Sequence, residues 1–139
     1  MWSKSYSTVV QGITAEQAWA VWIDVNQWAS WQSDVEYAKL DTEFKNGATI
    51  EFKPKGGPRF KNQLMDVEAP VRFTDLARFP LAKMYITHEM IELGNDLQIK
   101  ATVMITGPLS FLWRKVVVEG IAEGFAGETM RFIEKIREK

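Results

Sequence analysis

One histidine and no cysteine occur in the 139 residues, which restricts the available chemistry before any fold is considered. Disulfides, thiolate nucleophiles and cysteine-ligated metals are excluded, and a single imidazole is too few for a classical zinc site. The chain is therefore expected to use no metal and no cofactor. His88 lies within the apolar run Met84, Ile86, Met90. Imidazole is the side chain best suited to exchanging protons near neutral pH, so His88 is the one catalytic candidate, either as an acid or base or as a polar anchor for a ligand carbonyl. The structural alternative is a packed histidine with a local hydrogen-bond partner. Tyr37, Tyr85, Asp75 and Arg78 could join it, but a one-residue change of register sends each to the other face of its strand.

Two other stretches invite a chemical reading. Trp19, Trp22, Trp28 and Trp31 could stack on sugars or bases, but their helical spacing fits a bulky core block. Gly56-Gly57 lacks the pattern and the strand-to-helix setting of a phosphate loop and reads as a flexible lip.

The elements that position these residues follow from periodicity. Ser3–Gln11 reads as a first strand, and Thr14-Ala15-Glu16-Gln17 is a capping box that starts a short helix carrying Ala18, Trp19, Trp22, Ile23 and Val25 inward. A second short helical segment holds Trp28 and Trp31. Strands are expected at about 35–42, 48–54, 60–68, 71–78, 83–93 and 96–106, separated by turn residues such as Asn46-Gly47, Ala69-Pro70 and Gly94-Asn95-Asp96. In the last strand Leu97, Ile99, Ala101, Val103 and Ile105 share one face; the preceding strand answers with Met84, Ile86, His88 and Met90. From Gly107 to Lys139 one long helix is expected, with Val118, Ile121, Ala122, Phe125, Phe132 and Ile136 as its apolar stripe. Gly120, Gly124 and Gly127 lie off that stripe and mark bending, tolerance of poor helix formers, or a self-association face.

Composition fits this outline. With 46% hydrophobic and 25% charged residues the chain reads as one globular domain over 1–139. No window has the length of a transmembrane helix, residues 1–11 lack the apolar core of a signal peptide, and a cytoplasmic location is the default expectation. A net charge of −1 speaks against nucleic-acid binding.

That near-neutral total conceals an asymmetry. A meander places alternate connections at the same end, so segments 53–61, 78–83 and 107–115 should meet where the long helix begins. Together they carry eight Lys or Arg and no Asp or Glu. The opposite connections carry Asp41, Glu43, Asp66, Glu68, Asp75, Glu92 and Asp96 against Lys45 and Arg72.

The order of strand, two short helices, six-stranded meander and long helix resembles the START-like or SRPBCC helix-grip superfamily, which includes the major pollen allergens and the polyketide cyclase/dehydrase family. The resemblance is carried by Ala18-Trp19 through Trp31 with Asp24 between, Val67-Glu68-Ala69-Pro70, His88-Glu89-Met90 followed by Gly94, Gly107-Pro108, and Ile121, Phe125 and Phe132. It implies an α+β helix-grip fold, with a seven-stranded curved antiparallel sheet wrapped around the long helix and a hydrophobic cavity between them. Members bind or act on lipids, sterols, polyketides and hormones.

On that basis the expected partner is a small hydrophobic or amphiphilic ligand. Ile50, Phe52, Met84, Ile86, His88, Ala101, Val103, Ile121, Ala122 and Phe125 would line the cavity. Lys55, Arg59, Lys61, Arg78, Phe79, Lys83, Leu112 and Lys115 would surround its mouth, suiting an anionic head group or transient contact with an anionic membrane surface. The alternatives are a polyketide cyclase or dehydratase using His88, and a protein-interaction module with a filled core. A monomer or weak homodimer is expected.

Overall fold

The computed structural model describes residues 1–138. Seven antiparallel strands form one sheet in the order β1-β7-β6-β5-β4-β3-β2. They are β1 (Trp2–Gln11), β2 (Val35–Lys39), β3 (Thr49–Pro54), β4 (Phe60–Glu68), β5 (Arg72–Phe79), β6 (Ala82–Leu93) and β7 (Asp96–Thr106). Helix α1 (Ala15–Ile23) and a 3-10 segment (Val25–Ser30) lie between β1 and β2. The last element runs without a break from Ser110 to Arg137, as α2 (Ser110–Trp113), a π-helical turn (Arg114–Val118) and α3 (Glu119–Arg137). The expected helix end at Lys139 lies outside the described residues. This is the helix-grip arrangement: an open antiparallel sheet, two short helices inserted after its first strand, and a long C-terminal helix.

Helix α1 starts where its capping box dictates. The Thr14 hydroxyl accepts from the Gln17 amide at 3.2 Å, and the Thr14 amide donates to the Gln17 side chain at 2.9 Å. A third anchor comes from the sheet, because the Glu92 carboxylate accepts from the Ala15 amide at 3.0 Å and places negative charge at the helix N-terminus. The helix buries Ala15, Ala18, Val21 and Trp22. Ile23, expected inward, is 44% exposed: the helix ends there, and Val21 takes the inward position.

Trp22, Trp28 and Trp31 are core residues, whereas Trp19 is half-buried against them. The Trp28 indole N–H donates to the Trp22 carbonyl at 3.0 Å, and Phe132 of α3 packs on Trp22 and Trp31 with ring centroids 4.5 and 5.3 Å away. Each fully buried large side chain in this cluster contributes on the order of 1.5–3 kcal/mol.

The β6–β7 register pairs Met84 with Ile105, Ile86 with Val103, His88 with Ala101 and Met90 with Ile99. Those residues form the inner face, as the alternation predicts. The strand expected over 35–42 stops at Lys39, where Asn26 takes over both backbone groups of Leu40, accepting from its amide at 3.1 Å and donating to its carbonyl at 3.4 Å.

The π turn departs from the simple helix expected. In it the Glu119 amide donates to the Arg114 carbonyl, an i→i+5 bond that brings residues five apart onto one side. Trp113 and Val118 are five apart, and both pack on the same core cluster. An unbroken α-helix would turn one of them away. Beyond the π turn the buried stripe is Phe125, Thr129, Phe132, Ile133 and Ile136, with Ile121 and Ala122 half-buried.

Candidate functional site

The core divides into two clusters. One lies under the tryptophan block and includes Phe73, Met90, Leu97 and Phe132; the other lies nearer the start of the C-terminal helix and includes Ala77, Met84, Val103, Val118 and Phe125. Between Met84 and Met90, which are 5% and 0% exposed, the inner-face residues Ile86 and His88 are only half-buried. Above them Ile121 and Ala122 are half-buried too. The middle of the inner face is thus less tightly covered than either end.

His88 is held there by rings. Its imidazole lies 4.4 Å from the Trp22 ring and stacks on Phe73, its direct partner on β5, at 4.8 Å with an interplanar angle of 28°. Its Nε2 is 3.8 Å from Asp75 Oδ2. That distance is too long for a hydrogen bond.

Asp75 was counted in the sequence among the charges of the acidic end; its position is different. It pairs with Ile86 across the β5–β6 ladder, shares the inner face with Phe73 and Ala77, and is 6% exposed. Its Oδ1 is buried and meets no protein hydrogen-bond partner. The Asn62 side-chain oxygen, on the inner face of β4, is likewise buried without a protein partner. Three polar side chains, Asn62, Asp75 and His88, therefore sit on the inner face among apolar neighbours.

The other candidates distribute as follows. Ile50 and Val103 are fully buried, and Met84, Ala101 and Phe125 nearly so; Phe52, Ile86, His88, Ile121 and Ala122 remain partly accessible. Tyr37, Tyr85 and Arg78 belong to the outer face. The Tyr37 hydroxyl donates to Glu51 at 2.9 Å, Arg78 donates to Gln63 at 3.1 Å, and Tyr85 pairs with Leu76. Of the four companions considered for His88 only Asp75 reaches the inner face, so its charge does not belong to the acidic end. Alternation with Phe73, Ala77 and Phe79 favours that face only weakly, because Thr74 and Leu76 on the other face are buried as well.

At the end where α2 begins, the β5–β6 turn meets the helix entry. The Leu109 amide donates to the Leu81 carbonyl at 3.0 Å and the Trp113 indole donates to the Pro80 carbonyl at 2.9 Å. Phe79 stacks on Trp113 at 4.8 Å, and Phe60 approaches Phe79 edge-on at 6.5 Å, which brings the 53–61 connection alongside. Gly107 makes the close approach: a Cβ there would lie 2.6 Å from the Leu81 carbonyl oxygen.

Lys55, Arg59, Lys61, Arg78, Lys83 and Lys115 are all exposed, and Leu81, Phe111 and Leu112 stand out at 64%, 66% and 44% exposure. Leu81 does so with φ 54°, a left-handed conformation that disfavours leucine. Two carboxylates from outside the three connections reach this end: Glu36 pairs with Lys53 at 3.0 Å and Glu119 with Arg114 at 3.4 Å.

Two surface depressions lie elsewhere. One of about 460 Å3 is lined by Thr14 to Glu16 and Pro70, Val71 and Met90 to Glu92; another of about 390 Å3 is lined by Trp19, Ile23 to Asn26, Leu40 and Thr42 to Phe44. Neither adjoins the Asp75–His88 pair, and in the first Glu92 is already committed to capping α1. Among the described residues no cluster of His, Asp and Glu is suited to a metal ion, and no helix is long and apolar enough to cross a membrane.

No protein-family profile matches the sequence, and no curated protein sequence matches it. Solved structures do. Norcoclaurine synthase from Thalictrum flavum, in complex with dopamine and hydroxybenzaldehyde, superposes with a TM-score of 0.73 at 13% identity, covering 97% of this chain and 85% of its own. A START superfamily protein from Mycobacterium smegmatis gives 0.61 at 16%, covering 98% and 94%. DynU16, from the dynemicin biosynthetic locus, gives 0.72 at 13%, covering 97% of this chain and 47% of that one. Identities this low establish architecture alone, and on that footing the chain has the START-like, helix-grip fold.

Proposed function

We propose that this protein binds a small hydrophobic or amphiphilic molecule between the sheet and the C-terminal helix. The observation that carries the reading is the incomplete cover over the inner face at Ile86 and His88, between fully packed ends. A filled-core domain would bury these two positions as deeply as Met84 and Met90. The ligand's body would lie against Ile86, Ala101, Ile121, Ala122 and Phe125, with Phe52 nearer the exit and Ile50, Met84 and Val103 as the packed floor beneath. Apolar burial would supply most of the affinity, at about 25 cal/mol per Å2 before the costs of association.

The exposed cations Lys55, Arg59, Lys61, Arg78, Lys83 and Lys115, with Phe79 and Leu112 beside them, favour an amphiphile whose anionic head stays at the mouth. The binding protein acts in this reading as a cytoplasmic carrier, monomeric or weakly dimeric. A second reading, an enzyme of the polyketide cyclase or dehydratase type, draws on one specific observation: His88 has a carboxylate 3.8 Å from its Nε2. There the apolar walls would fold a reactive chain while the imidazole moves a proton.

The test is native mass spectrometry of the purified protein followed by organic extraction. A released lipid, acid or polyketide supports the reading. A protein that carries nothing and also binds none of a panel of hydrophobic probes refutes it, and points to an interaction module with a filled core.

A further inference from the structure

The Asp75–His88 pair carries information about the ligand that the apolar walls do not. Asp75 is 94% buried by its 6% exposure, in the central strand of the sheet, and one of its oxygens meets no protein donor. Burying an unpaired carboxylate oxygen opposes folding, and nothing in the fold requires it: the neighbours Phe73, Ala77 and Ile86 are apolar. The imidazole beside it is fixed by Trp22 and Phe73, and its Nε2 stops 3.8 Å short of the other carboxylate oxygen, Oδ2. Two polar atoms at that spacing cannot bond each other, yet one interposed oxygen can reach both. The pair is diagonal across the β5–β6 ladder, with Phe73 opposite His88 and Ile86 opposite Asp75, while the small Ala101 and Ala77 lie on the outer sides of His88 and Asp75.

We infer that Asp75 and His88 form a receptor for a hydroxyl group at the inner end of the ligand. The hydroxyl donates to Asp75 and accepts from the imidazole N–H. A hydroxyl does both through a single atom, which a carbonyl, an ether or an anion does not. A carboxylate or phosphate would meet like charge at Asp75. A ketone or ether would leave the Asp75 carboxylate without a donor. The inference rests on the proposed cavity and narrows it: the ligand is an apolar alcohol or phenol, bound hydroxyl first, with any anionic group at the opposite end near the mouth.

Three probes of matched shape separate the outcomes: 4-octylphenol, its methyl ether 4-octylanisole, and 4-octylbenzylamine, each titrated by calorimetry into the full chain. The expected result is that the phenol binds wild type at least tenfold more tightly than the ether. In Asp75→Asn and His88→Phe that preference should fall to threefold or less, while ether binding persists and reports that each variant is folded. Equal binding of phenol and ether to the wild type would overturn the hydroxyl assignment and leave the cavity standing. Tightest binding by the amine would overturn it in favour of a buried cation site. If none of the three binds wild type, the cavity reading itself falls.

Discussion

Replacing Asp75 by valine should make the ligand-free protein more stable. The side chain lies on the inner face of β5, 9% exposed, with Oδ1 unpaired and Oδ2 3.8 Å from His88 Nε2. An unsatisfied buried polar group costs roughly 1–3 kcal/mol, with charged groups at the upper end. Valine removes that cost, suits a strand, and adds apolar burial beside Ile86 and Leu64, its partners across the two ladders. His88 keeps its stacking on Trp22 and Phe73 and its own 16% side-chain exposure, so it is not stranded by the change. The expected gain is about 1–3 kcal/mol, which for a chain of this size is a rise in Tm of roughly 4–10 °C. The assay is urea unfolding of wild type, Asp75→Val and Asp75→Asn, requiring an unchanged slope so that midpoints report stability. Asparagine keeps the shape and removes the charge, and it should lie within about 1 kcal/mol of wild type. A loss of more than 1 kcal/mol in both variants would refute the reasoning, because it would mean that the fold itself uses the carboxylate.

Gly107→Ala should destabilise by roughly 2–4 kcal/mol, since the residue sits at φ 110° and its new Cβ would meet the Leu81 carbonyl oxygen at 2.6 Å and the Ala82 Cα at 2.9 Å; a loss under 0.5 kcal/mol in chemical denaturation would show that the helix entry does not press on the β5–β6 turn. The double substitution Lys83→Glu/Lys115→Glu should weaken dodecanoate binding by about three- to tenfold at low ionic strength and much less in 0.5 M salt, with dodecanol unaffected, because exposed charges act weakly and are screened. Calorimetry with both ligands checks this, and equal weakening of the two would locate the effect in packing.

The neighbourhood of His88 shows where sequence reasoning ends. Apolar alternation in β6 and β7 is strong enough to set the face of His88, because shifting the register by one would drive five apolar residues of β7 into water. The polar companion was legible only as one of four candidates. In β5 both faces carry buried residues, Thr74 and Leu76 outside and Phe73, Asp75 and Ala77 inside, so the contrast that reveals an inward position is missing there. Likewise the helix stripe was visible while the π turn was not: an i→i+5 turn follows from the need of Trp113 and Val118 to reach the same core, and only the sheet defines that core.

By itself the sequence determined the elements, their order, and the inner face of the two central hairpin strands, since period-2 and period-3.6 burial, the Thr14 capping box and the turn residues are local properties. It also determined what is absent, a thiol and a second imidazole. Tertiary structure decided which polar groups meet. Asp75 and His88 are 13 positions apart in the chain and come together only through the β5–β6 register, and the half-burial of Ile86, His88, Ile121 and Ala122 depends on how the C-terminal helix packs against strands distant from it in sequence.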